Sequence, residues 1–296
     1  MKRTYGKILI AVAVPLLAAV APGITFAANA NVAGGYSVCD PSIPDSWGPV
    51  TWGSGTTVVS TAKIYPGTSI GSNSSVGAYV VIGVCGTIGD SDKLNTSVKL
   101  GDGVTVGNGS TLGGSTWVGD KSTIGNTLIT GSSARIGKNV TIKDGPGTLT
   151  IGGSSVIYDG ATIGVNAKLG SSAVIGLGAS VGDGASIGGT SHIGDGAAVG
   201  PNSVISSSVV IGANSCLGGS VAPCLNPAGA VAVGYDANIG TGTAIGDGSK
   251  TAGSVNIGSS VQMGQRDSVG YKARICDGAV LGNDMTIPSY SKIGCY

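Results

Sequence analysis

The sequence has little charge and few aromatic side chains. Of its 296 residues, charged residues make up 10% and aromatic residues 4%. So little charge excludes a charge-rich disordered chain, and so few large side chains argue against an ordinary layered core. What the sequence has instead is glycine, with 55 residues. This composition is typical of a fold built from many identical, thin units.

Metal ligands and basic clusters are scarce as well. His192 is the only histidine and no C-x-x-C pair occurs, so the usual zinc-ligand patterns are missing and we expect no metal and no cofactor. The net charge is +1, and the sequence has no run of Lys and Arg interleaved with aromatics. We therefore expect no nucleic-acid partner.

Residues 1–28 predict a secretory signal peptide. A basic start, MKRTYGK, precedes the 14-residue apolar run ILIAVAVPLLAAVA, and small residues follow in PGITFAANA. That run is shorter than the roughly 20 residues needed to span a bilayer. We expect cleavage, no membrane span in the mature chain, and a location at the cell surface, outside the cell or in the periplasm.

The rest of the chain repeats every six residues. In SIGSNSSVGAYVVIGVCGTIGD an aliphatic residue recurs at this spacing, and each one is followed by glycine. The register continues through 38 positions, of which 36 are Ile, Val, Leu or Met, with Thr130 and Thr251 as the exceptions. Each unit is interpreted as a short strand plus a corner, because Gly and Asn/Asp/Ser-Gly pairs suit tight turns.

Three such units predict a triangular coil of 18 residues. In a strand, residues i and i−2 point the same way, so the aliphatic residue and the small residue two positions before it lie inside. The residue between them faces out. Stacked coils would pair their strands in parallel at about 4.8 Å per coil, giving 12–13 coils.

This pattern resembles the hexapeptide-repeat, left-handed β-helix family. The resemblance covers nearly all of residues 58–295 and implies an all-β, left-handed parallel β-helix. The family includes acyltransferases and γ-class carbonic anhydrases, and also domains with no chemistry, so the resemblance is specific for fold and weak for function. A single histidine does not suffice for the three histidines that family carbonic anhydrases use to bind zinc.

The register defines the domain boundaries. We predict an N-terminal cap over 29–57 and the repeat domain over 58–296. Two phase slips predict corner loops at 143–150 and 218–232.

All six cysteines follow the predicted signal peptide, and an even number in an exported chain favours disulfides. Six cysteines allow 15 pairings, and coil geometry favours one of them. The expected pairs are Cys39 with Cys85, Cys216 with Cys224, and Cys276 with Cys295.

His192 is the catalytic candidate of this sequence. The residue order places it on an outward row with Val156, Val174 and Val210, and an exposed apolar row suggests an interface. The resemblance implies a histidine base in a groove between subunits. Against this, no carboxylate is visibly placed to orient the ring, because Asp195 is more simply a turn former.

A second outward row consists of hydroxyl side chains, which we call the threonine ladder. Its members are Ser69, Thr87, Thr105, Thr123 and Thr141. A flat threonine array resembles the ice-binding face of some insect antifreeze β-helices, but those use two threonines per coil. In this sequence the second outward position is glycine.

The favoured function at this stage is an exported, non-catalytic, structural or adhesive solenoid. The repeat runs to the end of the sequence, and an open coil exposes strand edges that could template a further subunit, so we expect end-to-end or lateral self-association and filaments. An extracellular surface or polysaccharide is a further expected partner. Two alternatives stay open: an acyltransferase-like enzyme with His192 at a trimer interface, and an ice- or polysaccharide-binding module that uses the threonine ladder.

Overall fold

The computed structural model describes residues 39–42, 48–219 and 229–295. The predicted signal peptide and Cys224 lie outside these residues, as does most of the predicted loop 218–232. The described part consists of 38 short strands separated by turns. It contains no helix that is long and apolar enough to cross a bilayer.

The strands form three parallel sheets, whose outer sides we call the first, second and third faces. The first face has twelve strands: β1 (Thr51–Trp52), β4 (Ser69–Ile70), β7 (Thr87–Ile88), β10 (Thr105–Val106), β13 (Thr123–Ile124), β16 (Thr141–Ile142), β19 (Thr162–Ile163), β22 (Ser180–Val181), β25 (Ala198–Val199), β28 (Cys216–Leu217), β31 (Ala244–Ile245) and β34 (Gln262–Met263).

The second face has thirteen strands: β2 (Thr57–Val58), β5 (Ser75–Val76), β8 (Lys93–Leu94), β11 (Thr111–Leu112), β14 (Leu128–Thr130), β17 (Leu149–Ile151), β20 (Lys168–Leu169), β23 (Ser186–Ile187), β26 (Val204–Ile205), β29 (Ala232–Val233), β32 (Lys250–Thr251), β35 (Ser268–Val269) and β37 (Thr286–Ile287).

The third face also has thirteen strands: β3 (Lys63–Ile64), β6 (Val81–Ile82), β9 (Lys99–Leu100), β12 (Trp117–Val118), β15 (Arg135–Ile136), β18 (Val156–Ile157), β21 (Val174–Ile175), β24 (His192–Ile193), β27 (Val210–Ile211), β30 (Asn238–Ile239), β33 (Asn256–Ile257), β36 (Arg274–Ile275) and β38 (Lys292–Ile293).

The chain visits the three faces in turn, and each strand pairs with the strands of the coils before and after it. The result is an all-β, left-handed parallel β-helix of about 13 coils, which confirms the predicted fold class. Strand pairing already includes Thr51, which lies inside the predicted cap over 29–57. The remaining domain boundaries stay predictions.

The interior is assembled as the six-residue register predicts. In most strands the first residue is outward and the second is buried, as with Thr162 and Ile163. Where the small interior residue is Ser or Thr, its hydroxyl often donates a hydrogen bond to a carbonyl 15 residues later: Thr68 to Gly83 (3.0 Å) and Ser122 to Gly137 (2.7 Å). These bonds satisfy hydroxyl groups inside an otherwise apolar core.

The two interior exceptions to the aliphatic rule are also satisfied. Thr130 is buried, and its hydroxyl oxygen accepts a hydrogen bond from the Gly113 amide at 2.8 Å. The Thr251 hydroxyl oxygen accepts one from the Gly234 amide at 3.4 Å. Threonine is therefore tolerated in place of an aliphatic residue because the neighbouring coil offers a donor.

The corners depend on left-handed backbone and on short polar side chains. Asn73 has φ 57° and Gly103 has φ 64°, which Asn and Gly tolerate better than most residues. Corner carboxylates accept hydrogen bonds from backbone amides of the preceding coil, as Asp102 does from the Val84 amide at 3.0 Å. These aspartates therefore act as turn formers.

Disulfides form at both ends of the solenoid. Cys39 and Cys85 are bonded with their Cα atoms 5.5 Å apart, and Cys276 and Cys295 are bonded at 5.2 Å. Both pairs are those that coil geometry favours. Cys216 is also disulfide-bonded, and its predicted partner Cys224 lies outside the described residues.

Candidate functional site

The site begins with the row that contains His192 on the third face. Val156 pairs with Val174, Val174 with His192, and His192 with Val210 in consecutive coils. His192 and Val210 are exposed, while Val156 and Val174 are half-buried. The row predicted from the sequence therefore exists as one continuous strip of adjacent side chains.

A shallow cavity of about 490 Å³ lies beside this row. Its wall includes His192 and Val210 on the face and Tyr158, Leu177 and Asp195 at the adjoining corner. Tyr158 and Leu177 are 47% and 50% exposed, so the wall offers a considerable apolar area. Sequence reasoning did not identify Tyr158 or Leu177 as part of a site.

One wall of the cavity is formed by a residue that departs from the repeat. Tyr158 directly follows the strand β18, and the equivalent positions in the next three coils are Gly176, Gly194 and Gly212, as in most repeats. The tyrosine side chain therefore stands out from a corner that is otherwise lined by glycine. Gly194 and Gly212 both line the cavity.

The imidazole of His192 forms no hydrogen bond or ion pair within the described residues. Asp195, which lines the same cavity, uses Oδ1 to accept a hydrogen bond from the Leu177 amide at 2.8 Å. This bond supports the turn role that the sequence predicts for Asp195. Among the residues that the structure describes, His192 is thus an exposed base without a fixed orienting partner.

The threonine ladder is formed as a line of paired residues on the first face. Ser69, Thr87, Thr105, Thr123 and Thr141 pair one after another in register. Thr51 and Thr162 extend the ladder by one coil at each end. It presents one hydroxyl side chain per coil, and its binding role stays a prediction.

Two buried aspartates take interior positions that elsewhere mostly hold Ser, Thr, Ala or Val. Asp92 is 1% exposed, its Oδ1 accepts a hydrogen bond from the Ser110 amide at 2.6 Å, and its Oδ2 has no hydrogen-bond partner within the described residues. Burial raises the pKa of Asp92 to about 7, against the lowering effect of backbone hydrogen bonds. Asp267 repeats this arrangement, with Oδ1 accepting from the Met285 amide at 2.8 Å and Oδ2 unpaired.

No group of three or more His, Cys, Asp or Glu side chains that could hold a metal ion occurs within residues 39–42, 48–219 and 229–295. The carboxylates are spread over separate corners, where backbone amides engage them. The chemistry that the cavity offers is therefore that of one imidazole beside apolar walls.

Comparison with known proteins finds matches among solved structures only. No protein-family model and no curated protein matches the chain. The chain is 18% identical to the UDP-N-acetylglucosamine O-acyltransferase of Moraxella catarrhalis, covering 57% of this chain and 65% of that one with a TM-score of 0.31. It is 20% identical to the Arabidopsis UDP-N-acetylglucosamine acyltransferase, covering 80% and 70% with a TM-score of 0.30.

A third solved structure, a variant of GDP-perosamine N-acetyltransferase from Caulobacter crescentus, is 18% identical and covers 53% of this chain and 52% of that one, with a TM-score of 0.17. This chain thus spans about two thirds or less of the Moraxella and Caulobacter enzymes. At these identities the similarity describes a shared β-solenoid.

The expectation of a non-catalytic structural or adhesive solenoid that forms filaments requires correction. The solved structures named above are acyltransferases and acetyltransferases, not structural or adhesive proteins, so this expectation is not kept. The open coil end suggested templated growth, but enzymes are built on the same solenoid, so an open end is weak evidence for polymerisation. The predicted export stays a prediction.

Proposed function

We propose that the chain is an acyltransferase-like enzyme of the hexapeptide-repeat type, with His192 as the general base. The observation that carries the proposal is the position of His192. The only histidine of the chain is exposed within a valine row, beside an apolar cavity of about 490 Å³. The names of the matching solved structures, which are acyltransferases and acetyltransferases, agree with it.

The exposed apolar side chains around His192 support assembly into a trimer. Val210 is 45% exposed, and Leu177 and Tyr158 are exposed to a similar extent. A contiguous apolar surface of this kind marks an interface in soluble proteins. In the proposed trimer the coils that carry Val156, Val174, His192 and Val210 contact a neighbouring subunit, so that His192 lies in a groove between neighbours and is shielded from water, while the coils of β9, β12 and β15 lie outside this contact.

In the proposed reaction the imidazole removes the proton from an acceptor hydroxyl while its oxygen attacks the carbonyl carbon of an acyl thioester. The carbon–sulfur bond then breaks, and the departing sulfur takes the proton from the imidazolium. The products are an ester and a thiol, and the imidazole returns to its neutral form. The apolar cavity beside His192 provides room for the acyl chain.

The test measures thiol release from acetyl and longer acyl thioesters in the presence of hydroxyl-bearing amino sugars. Loss of a general base lowers rates by about 10²–10⁴-fold, so His192→Ala is expected to reduce activity by this factor. Asn256→Ala, on the same face but away from the cavity, is the matched control and is expected to keep full activity.

Light scattering on the same samples is expected to give a trimer, and Val174→Lys is expected to convert it to a monomer with loss of activity. Unchanged thiol release by His192→Ala would contradict the proposed role of this residue. A wild-type monomer with full activity would contradict the groove between subunits.

A further inference from the structure

The third face carries an exposed tryptophan far from the His192 cavity. Trp117 is the outward residue of β12 and is 40% exposed. Four coils separate it from His192, which corresponds to about 19 Å along the solenoid axis. Its indole ring makes no aromatic or cation–π contact within the described residues.

Two cations flank this tryptophan on the neighbouring coils. Trp117 pairs with Lys99 on one side and with Arg135 on the other, so the three side chains stand about 4.8 Å apart in a line. Lys99 and Arg135 are exposed, and neither takes part in an ion pair within the described residues. We call Lys99, Trp117 and Arg135 the basic–aromatic strip.

The strip belongs to a general separation of charge in this molecule. All 15 acidic residues of the sequence are aspartates. Within the described strands none of them occupies an outward position, because corner aspartates accept backbone hydrogen bonds and Asp92 and Asp267 lie inside. The charged residues at outward strand positions are therefore all cationic, and the third face carries the most: Lys63, Lys99, Arg135, Arg274 and Lys292.

We propose that the basic–aromatic strip binds an acidic polysaccharide that lies along the axis of the solenoid. The exposed face of an indole stacks against the C–H face of a sugar ring, because both are flat and apolar. The flanking Lys99 and Arg135 then meet carboxylate or sulfate groups of the adjacent sugars, where charge-assisted hydrogen bonds form. This site is independent of the acyl transfer proposed for His192.

A single-stranded nucleic acid could also use stacking and cations, but the neighbouring corner disfavours it. Asp102 and Asp120 lie at the corner that follows Lys99 and Trp117. The anionic groups of a ligand therefore have to lie over Lys99 and Arg135, and the part of the ligand next to these carboxylates has to be uncharged; of the two, only Asp120 is neutralised, by Lys138 at 2.8 Å. Sugar hydroxyl groups can donate hydrogen bonds to such carboxylates.

The experiment is affinity electrophoresis of the full-length mature protein in gels that contain one polymer each. The polymers are polygalacturonate, dextran sulfate and neutral dextran, and a thymidine oligonucleotide serves as a competitor. We expect retardation by polygalacturonate or dextran sulfate, and the stronger of the two identifies the preferred anionic group. Neutral dextran is expected to have little effect.

Variants assign the binding to the strip. Trp117→Ala is expected to weaken binding about tenfold, as the loss of one stacking contact does, whereas Trp117→Phe retains most of it. Lys99→Gln with Arg135→Gln is expected to abolish the salt-sensitive part of binding. The matched control, Lys93→Gln with Lys168→Gln on the second face, removes the same charge without an adjacent aromatic and should bind normally, as should His192→Ala.

Unchanged retardation of Trp117→Ala, equal retardation by neutral dextran, or no retardation by any polymer would overturn the proposal. Displacement of the polysaccharide by the oligonucleotide at lower concentration would assign the strip to nucleic acid instead. Circular dichroism confirms the fold of each variant, and all the substituted residues are exposed.

Discussion

The first and third faces of the solenoid differ in what they present to solvent although their interiors are alike. Behind both faces lie buried aliphatic residues such as Ile163 and Ile193. Outside, the first face carries the threonine ladder, while the third face carries the basic–aromatic strip and the His192 row. The comparison teaches that the inward residues specify the coil, whereas the outward residues are free to specify chemistry.

The largest expected effect tests whether the buried residues behind the first face and those behind the third face contribute equally to stability. Ile163→Ala and Ile193→Ala are each expected to cost about 2–5 kcal/mol in the free energy of unfolding, because each leaves a cavity in a packed core. The outward substitution Thr141→Ala is expected to change it by less than about 0.5 kcal/mol. Urea unfolding followed by circular dichroism measures all three.

His192→Ala sharpens this comparison, because it is expected to leave stability unchanged while removing activity. A loss of stability for Thr141→Ala as large as that for Ile163→Ala would show that outward side chains also hold the coil together.

The two faces also end differently. On the third face the last strand β38 is held by the Cys276–Cys295 disulfide, whereas the first face ends in a single bridge between Gln262 and Val280, and Val280 is 72% exposed. Cys276→Ser with Cys295→Ser is expected to lower the stability of the final coils by about 3 kcal/mol, as loss of a short disulfide loop does.

Hydrogen exchange at β36 and β38 measures the effect of removing this disulfide. Exchange at the central coils is the internal control, because each coil contacts only its neighbours. Equal acceleration throughout the chain would instead indicate a fully cooperative solenoid.

The smallest expected effect concerns Asp92, a carboxyl group at an interior position of the solenoid. Asp92 has an ordinary pKa of 3.8, and burial raises it to about 7. The folded state therefore favours the protonated carboxyl. The protonated Asp92 carboxyl contributes fully to the free energy of unfolding below about pH 4. This contribution falls as the pH rises toward 7 and does not change further above that pH.

Asp92→Ser is expected to remove this pH dependence and to stabilise the protein at pH 8 by about 1–3 kcal/mol, because an unpaired buried charge is replaced by a hydroxyl. The exposed corner variant Asp183→Ser is the control. Urea midpoints at pH 4, 6 and 8 provide the measurement, and a pH profile of Asp92→Ser parallel to that of the wild type would contradict the assignment.

Much of the candidate site followed from the register alone. Because 18 residues make one coil, the alignment of His192 with Val174 and Val210 could be predicted and is found. The same register places Asp92 inside, two residues before Leu94, and aligns Lys99 with Arg135 around Trp117. These two features were within reach of sequence reasoning, but a search for clusters close together in the sequence misses residues that are 18 apart.

The cavity beside His192 could not be predicted in this way. It depends on where the side chains of Tyr158 and Leu177 stand relative to His192 and Val210. A repeat pattern records which residues are equivalent but not how much space remains between unequal side chains.

The six-residue period by itself determined the parallel β-helix, the three faces and the side of the coil on which each strand residue lies, because strand alternation and glycine corners leave one arrangement that buries the aliphatic residue recurring every six positions. Only the tertiary structure decided that Oδ2 of Asp92 has no partner among the described residues, and where a cavity opens. These properties depend on distances between atoms of different coils, and those distances are set by packing after the coils have stacked.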